Sequence, residues 1–306
     1  TRSTIKPIQA LPIILSGAAD HYQLTPRELA VACASHEGEA IHTETAARML
    51  ARVGLDESAL RCGAHAPYDP ETAKQLELSG QPFNQLHNNC SGKHAGMLVT
   101  AVHRGLEIED YLAPTHPVQL DIIKALSRLG DLPETLPTAI DGCSAPTFGV
   151  TVRSLGVAAA RLANACCDEA SQIVLEPELA AAARRFVEAM IAYPEMVGGT
   201  KNRFDTDLMR AARGKLFAKV GAEAVYSVGV LPSARYPRGL GLSFKMEDGS
   251  YRGLAPAVVE TLHQIGVLDE AETMQLTTYY RPVLENRRGL HVGDVRAIFD
   301  LRFNQQ

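Results

Sequence analysis

At 306 residues, with 46% hydrophobic and 21% charged side chains, the chain has the make-up of a globular protein that can bury a sizeable core. A net charge of −5 and a pI near 6.1 argue against a nucleic-acid or anionic-membrane partner. No apolar run reaches the roughly 18 residues of a membrane helix, and the N-terminus carries no signal-peptide pattern.

In chain order, Ile5, Ile8, Leu11, Ile14 and Leu15 recur at helical spacing, with Pro7 suited to a first turn and Pro12 expected to kink the helix. Thr25-Pro26-Arg27-Glu28 is a capping box that starts a short helix through Ala34, and Ser35 to Glu39 reads as a polar loop. Amphipathic helices follow over 43–53 and from Asp69-Pro70 to Gly80. Another runs from the polar stretch at 87–96 to Gly105, and a fourth covers about 118–129. Residues 138–143 read as a strand entering a polar turn, ahead of two alanine-rich helices over about 155–165 and 178–192. The character then changes. Gly214 to Val230 reads as two strands around Gly221, and Leu240 to Leu254 as a hairpin turning at Asp248-Gly249. A helix over 257–265 and a final strand over 291–301 complete the chain.

Helices in the middle and strands in the last third predict an α/β (α+β) architecture, an antiparallel sheet flanked by helices and packed on a helical lobe. We expect a single catalytic domain over 1–306, with a helical region at about 20–210. The sheet-rich region, about 211–306, takes in the N-terminal segment. Six cysteines without a CxxC spacing point to reduced thiols and a cytoplasmic setting.

Two constellations carry possible chemistry. Ser3-x-x-Lys6 places a hydroxyl and an amine at a helix start, the arrangement of a serine nucleophile with a lysine base. A second lysine, Lys219 in Lys219-Val220-Gly221 on a strand, would help keep one of the two amines neutral. In His87-Asn88-Asn89-Cys90-Ser91-Gly92-Lys93-His94, Cys90 and Lys93 share one helical face and can hold a borderline metal. Ligand chemistry alone favours the nearby His65, His87 and His94. The bland reading is a small buried thiol followed by a solvated lysine.

The stretch from Asn89 to Met97 resembles the signature of the Rhizobium-type (class 3) L-asparaginases, the asparaginase II family. The resemblance extends to Arg2–Pro7, Ala34-Ser35-His36, Arg61-Cys62-Gly63, Asp141-Gly142-Cys143, 194–197 and 241–245. It implies a serine β-lactamase/glutaminase-like fold and hydrolysis of the side-chain amide of L-asparagine to aspartate and ammonia. Two Ser-Lys tandems are implied, Ser3 with Lys6 and Ser35 with Lys219; which serine carries the acyl group is left open by the resemblance, and the helix start with a lysine three residues on favours Ser3. Zinc is implied as the cofactor, held by Cys90, Lys93 and Cys143, with Arg2, His94 and Asp141 as substrate-binding or supporting residues. A homodimer is implied, acting on a small-molecule substrate with no nucleic-acid or membrane partner. Members of the family usually carry a β-rich stretch ahead of the Ser-Lys segment, so truncation, cleavage or disorder upstream is expected.

Three other readings compete. A penicillin-recognising serine hydrolase or peptidase shares the Ser-Lys logic, but no S-D-N motif is evident, and Val220 stands where K-T-G has threonine. A zinc- or amino-acid-binding protein of the same fold would release no ammonia from asparagine. Thr1 is a separate candidate, since a terminal threonine is the nucleophile of another asparaginase class.

Overall fold

The computed structural model describes residues 1–167 and 175–302. Its N-terminal segment is a buried spine. The expected single helix is instead a 3-10 turn, Arg2–Ile5, followed by two short helices, Lys6–Gln9 and Leu11–Leu15. Pro12 has no N–H to offer the Ile8 carbonyl, so the ladder breaks where one long helix would need it. Ile5, Ile8, Leu11 and Ile13 are buried, while Leu15 is exposed. The segment is fastened at its front to a small antiparallel ribbon, β1 (Thr138–Ile140) with β2 (Pro146–Phe148). The Arg2 N–H donates to Thr147 Oγ1 at 3.1 Å. Thr1 Oγ1 is taken up by Thr147 Oγ1 and the Phe148 N–H, so this candidate nucleophile is turned towards β2.

The larger sheet is antiparallel in the order β3 (Leu216–Gly221), β4 (Val225–Val230), β5 (Leu240–Lys245). Every residue of β4 is buried, as befits a central strand covered on both faces. Helix Val152–Asn164 lies across β4 and β5, and helix Pro177–Ala192 and the Arg2–Ile5 turn pack on β3. The turn between β3 and β4 uses left-handed backbone at Glu223 and Ala224. Beyond β5 the expected hairpin arm is absent. Residues 251–253 form a 3-10 turn capped by the Ser250 hydroxyl, and the chain goes straight into helix Leu254–Gln264. Ser250 satisfies a free N–H at that start, and Pro256 falls in the first turn where its missing donor costs nothing.

The final strand is also shorter than expected. Among the described residues β7 (His291–Asp294) pairs only with β6 (Val283–Glu285), and residues 295–301 have no regular structure. After the Val295 N–H reaches the Pro282 carbonyl, no neighbouring strand continues the ladder.

The helical part follows the sequence closely. Helix Pro26–Ala32 has both halves of its Thr25/Glu28 capping box, and helix Pro70–Ser79 ends on left-handed Gly80. Helix Ser91–His103 is buried from Ser91 to Ala101 and crosses the end of helix Pro26–Ala32 at very short range. A Cβ at Gly92 would lie 2.2 Å from the Val31 carbonyl oxygen. Neither backbone can yield without disturbing the Ser35 loop. Gly92→Ala is therefore expected to destabilise the fold by about 3 kcal/mol, read as a lowered urea midpoint with unchanged m value.

Candidate active site

The loop after helix Pro26–Ala32 presents Ser35, and several groups hold its backbone. The Ser35 N–H donates to the Val197 carbonyl at 3.0 Å, and Arg203 Nη2 donates to the Ser35 carbonyl at 3.0 Å. Arg203 is in turn paired with Glu37. Next along, His36 Nδ1 accepts from the Gly38 N–H at 3.1 Å, which leaves the proton on Nε2 to reach Ser91 Oγ at 3.0 Å. The Ser91 hydroxyl donates in turn to the Leu86 carbonyl at 2.9 Å. Burial holds His36 well below its ordinary pKa, so this chain of donors works with a neutral ring.

Ser35 Oγ is where the two expected lysines meet. Lys6 Nζ lies 3.0 Å from it and Lys219 Nζ 2.9 Å from it. Lys6 also donates to the Ala34 carbonyl and, at 3.4 Å, to that of Asn89. Lys219 donates to the Val220 carbonyl at 2.9 Å and stands 3.7 Å from Asp205 Oδ2. Both amines are buried. Burial pushes Lys219 down to about 7; Lys6 and Arg203 push the same way, and Asp205 opposes them. Lys6 therefore reaches past Ser3, its neighbour by spacing, to the second serine.

Ser3 stands on the wall of a cavity of about 540 Å³, with Ser35, Asn89, Asp205, Gly221 and Ala222. Its hydroxyl has no hydrogen bond among the described residues, and its N–H belongs to the first turn of a helix, where no carbonyl precedes it. The end of β3 comes close because Gly221 has no side chain. A Cβ there would meet Thr4 Cγ2 at 3.0 Å and the Thr4 nitrogen at 3.3 Å. Phe204, Tyr226, Tyr251 and Tyr279 form an aromatic side of the same cavity. Sequence reading passed over these, and over Arg203 and Asp205, because isolated aromatic and charged residues in separate elements carry no motif.

The third grouping lies off that cavity wall. Cys90 precedes helix Ser91–His103, and Cys143 sits in a tight turn closed by the Asp141 N–H on Ala145 and the Ser144 N–H on Asp141. Lys93 Nζ donates to Cys143 Sγ at 3.0 Å. The Cys90 S–H donates to Asn89 Oδ1 at 3.3 Å; the nearby Cys90 thiol, with Lys93 and His94, holds the Cys143 thiol far below its ordinary pKa against its burial, and Cys90 is raised in exchange. For Lys93, burial works against the charge, but the Cys143 and Cys90 sulfurs outweigh it and raise the pKa. Among the described residues no group of three His, Cys, Asp or Glu is arranged to hold a metal, so any site here draws on the amine of Lys93.

The three expected substrate-binding residues are placed apart from the cavity. Arg2, in left-handed backbone, is bound through Nε and Nη2 to Asp141 Oδ1 at 3.0 and 2.8 Å, and also pairs with Glu223. His94 is fully buried and takes the Tyr111 hydroxyl on Nδ1 at 2.6 Å; burial lowers its pKa to about 4. The Arg2–Asp141 pair ties the segment that carries Ser3 to the turn that carries Cys143.

No curated protein matches the chain. The family model for L-asparaginase II matches residues 1–297, and the chain belongs to the asparaginase II family.

Proposed function

We propose that the protein is an L-asparaginase that hydrolyses the side-chain amide of L-asparagine by Ser-Lys nucleophilic catalysis. The observation that carries this reading is the meeting of Lys6 and Lys219 on one buried hydroxyl, Ser35, beside the unpartnered Ser3 on the cavity wall. Lys6 Nζ is already engaged by three oxygens, those of Ala34, Ser35 and Asn89. Lys219, pushed down to about 7, is the amine that can take a proton.

Ser3 attacks the amide carbon as its proton passes to Ser35 and that of Ser35 to Lys219. The Ser3 N–H is a donor for the oxyanion. The proton returns to the leaving nitrogen, ammonia departs, and water resolves the acyl-enzyme by the same relay. Ser35 is a weaker choice of acyl carrier because it is buried and its oxygen is occupied from both sides.

The donor set suits zinc. Two sulfurs and an amine converge in a buried spot that already holds a positive charge against Cys143. Cys90, Lys93 and Cys143 would hold the ion, Lys93 through its neutral amine once its proton has been released to solvent. Bound zinc would supply a positive charge that helps fix the polar end of the substrate. The family reading also carries a cytoplasmic homodimer and the serine β-lactamase/glutaminase-like fold. No helix of the described residues is long and apolar enough to cross a membrane.

Ammonia release from asparagine tests the activity, and mass spectrometry of a quenched turnover tests the mechanism. The acyl adduct should map to the peptide carrying Ser3 and vanish in Ser3→Ala. An adduct on Ser35 would reverse the two serines, and acylation by a labelled penicillin with no ammonia from asparagine would replace the activity.

A further inference from the structure

Asp205 belongs to no motif, yet it is almost completely buried at the second position of helix Phe204–Ala211. Its Oδ2 accepts the Val220 N–H at 3.2 Å and lies 3.7 Å from Lys219 Nζ. Its Oδ1 has no hydrogen-bond partner among the described residues. The Tyr226 hydroxyl faces the same carboxylate without reaching hydrogen-bond geometry. A carboxylate is kept in such a place only where a nearby cation compensates its lost hydration.

The groups that face Lys219 come from several elements: Lys6 across Ser35, Arg203 and Asp205 at one helix start, and the thiols of Cys33 and Cys90. Counting also Glu37, which is ion-paired with the partly buried Arg203, the formal charges are positive at Lys6, Lys219 and Arg203 and negative at Asp205 and Glu37. The set closes at neutrality when one lysine is an uncharged amine. When that amine takes a proton, one uncompensated charge appears on Nζ, and Asp205 is the carboxylate beside it.

We infer that Asp205 is the positioning residue of the lysine base: through the Val220 N–H it fixes the strand end that carries Lys219, and it stabilises the ammonium formed when Lys219 receives the serine proton. In that step the Ser35 O–H bond breaks, an N–H bond forms on Lys219, and the charge created stands against the Asp205 carboxylate. The inference rests on Lys219 being the base. Its logic is that of a nucleophile and a base held by a third group.

Asp205→Asn keeps an oxygen for the Val220 N–H and removes the charge. The acid limb of kcat/KM is expected to move about one pH unit lower, because the amine loses the carboxylate that favours its charged form. The plateau should fall by about tenfold or more. Asp205→Ala should show the same displacement of the limb with an added loss of thermal stability. A lower plateau with an unmoved limb would make Asp205 a structural residue only and overturn the inference.

Lysine side-chain NMR of the full chain, with the Lys219 resonance assigned through Lys219→Met, gives a readout that does not need turnover. The Lys219 titration should move to lower pH in Asp205→Asn, and an unchanged titration overturns the coupling. If the wild-type protein releases no ammonia from asparagine, the proposed activity fails while this titration still decides the role of Asp205.

Discussion

Lys219→Ala is expected to lower kcat for asparagine by about 10²- to 10⁴-fold, with some loss of stability because the buried Asp205 carboxylate loses its neighbouring cation. The side chain is buried between Ser35 and Asp205, and removing it leaves the Ser35 hydroxyl with only Lys6 as a nitrogen partner. Lys6 Nζ already serves two carbonyls as well as Ser35, so it is poorly placed to accept a further proton. The wild-type profile has a definite sign. Burial first, with Lys6 and Arg203 adding to it, pushes Lys219 down to about 7, so the neutral amine is scarce at pH 6 and prevails at pH 8. Activity should rise across that interval, and the variant should lose this limb together with its rate. Ser3→Ala should cost at least as much. The double variant should be no worse than the more damaged single one, because attacking group and base act as a unit. Multiplicative losses in the double variant would separate Ser3 from the relay.

Metal removal is the second large effect. Under the zinc reading, chelation or Cys143→Ser should raise KM for asparagine substantially, with a smaller change in kcat. Cys90, Lys93 and Cys143 stand off the wall that carries Ser3 and Ser35, and the proton path through Ser35 includes none of them. The pH dependence follows from competition: thiolates and a neutral amine bind the ion, protons displace it, and occupancy falls as pH falls. Elemental analysis after dialysis at pH 8 and pH 5 measures this directly. An apo-enzyme that binds asparagine normally and turns nothing over would make the ion catalytic and overturn the assignment.

The sequence made the helices legible wherever caps and period agreed, as at Thr25/Glu28 and at Gly80. It misread residues 251–254, where four residues are too few to tell an alternating strand from a capped turn. The same limit cut the last strand short, since pairing depends on a neighbour that local sequence does not describe. At the site, Lys219 and Ser35 were legible as motif fragments, and Lys93 does reach Cys143 from fifty positions away. The joining of Lys6 to Ser35 was not legible, because residue spacing favours the neighbour three positions away and a lysine stem reaches further than one turn. Asp205 was invisible for a related reason. Nothing local distinguishes it from Asp207, which bonds the Tyr279 hydroxyl on the outer side of the same helix.

The bonds that converge on Ser35 and Lys6 span very different lengths of chain: 29 residues from Lys6 to Ser35, 83 from Lys6 to Asn89 and 184 from Ser35 to Lys219. Closing the longest of these loops sets the order of assembly. Nearby helices can form and dock early, while β3 delivers its amine only once the distant strands have paired. Any partly folded form in which β3 has not yet docked holds Ser3 and Ser35 without the Lys219 amine. Catalytic competence arrives last, as a property of the completed topology.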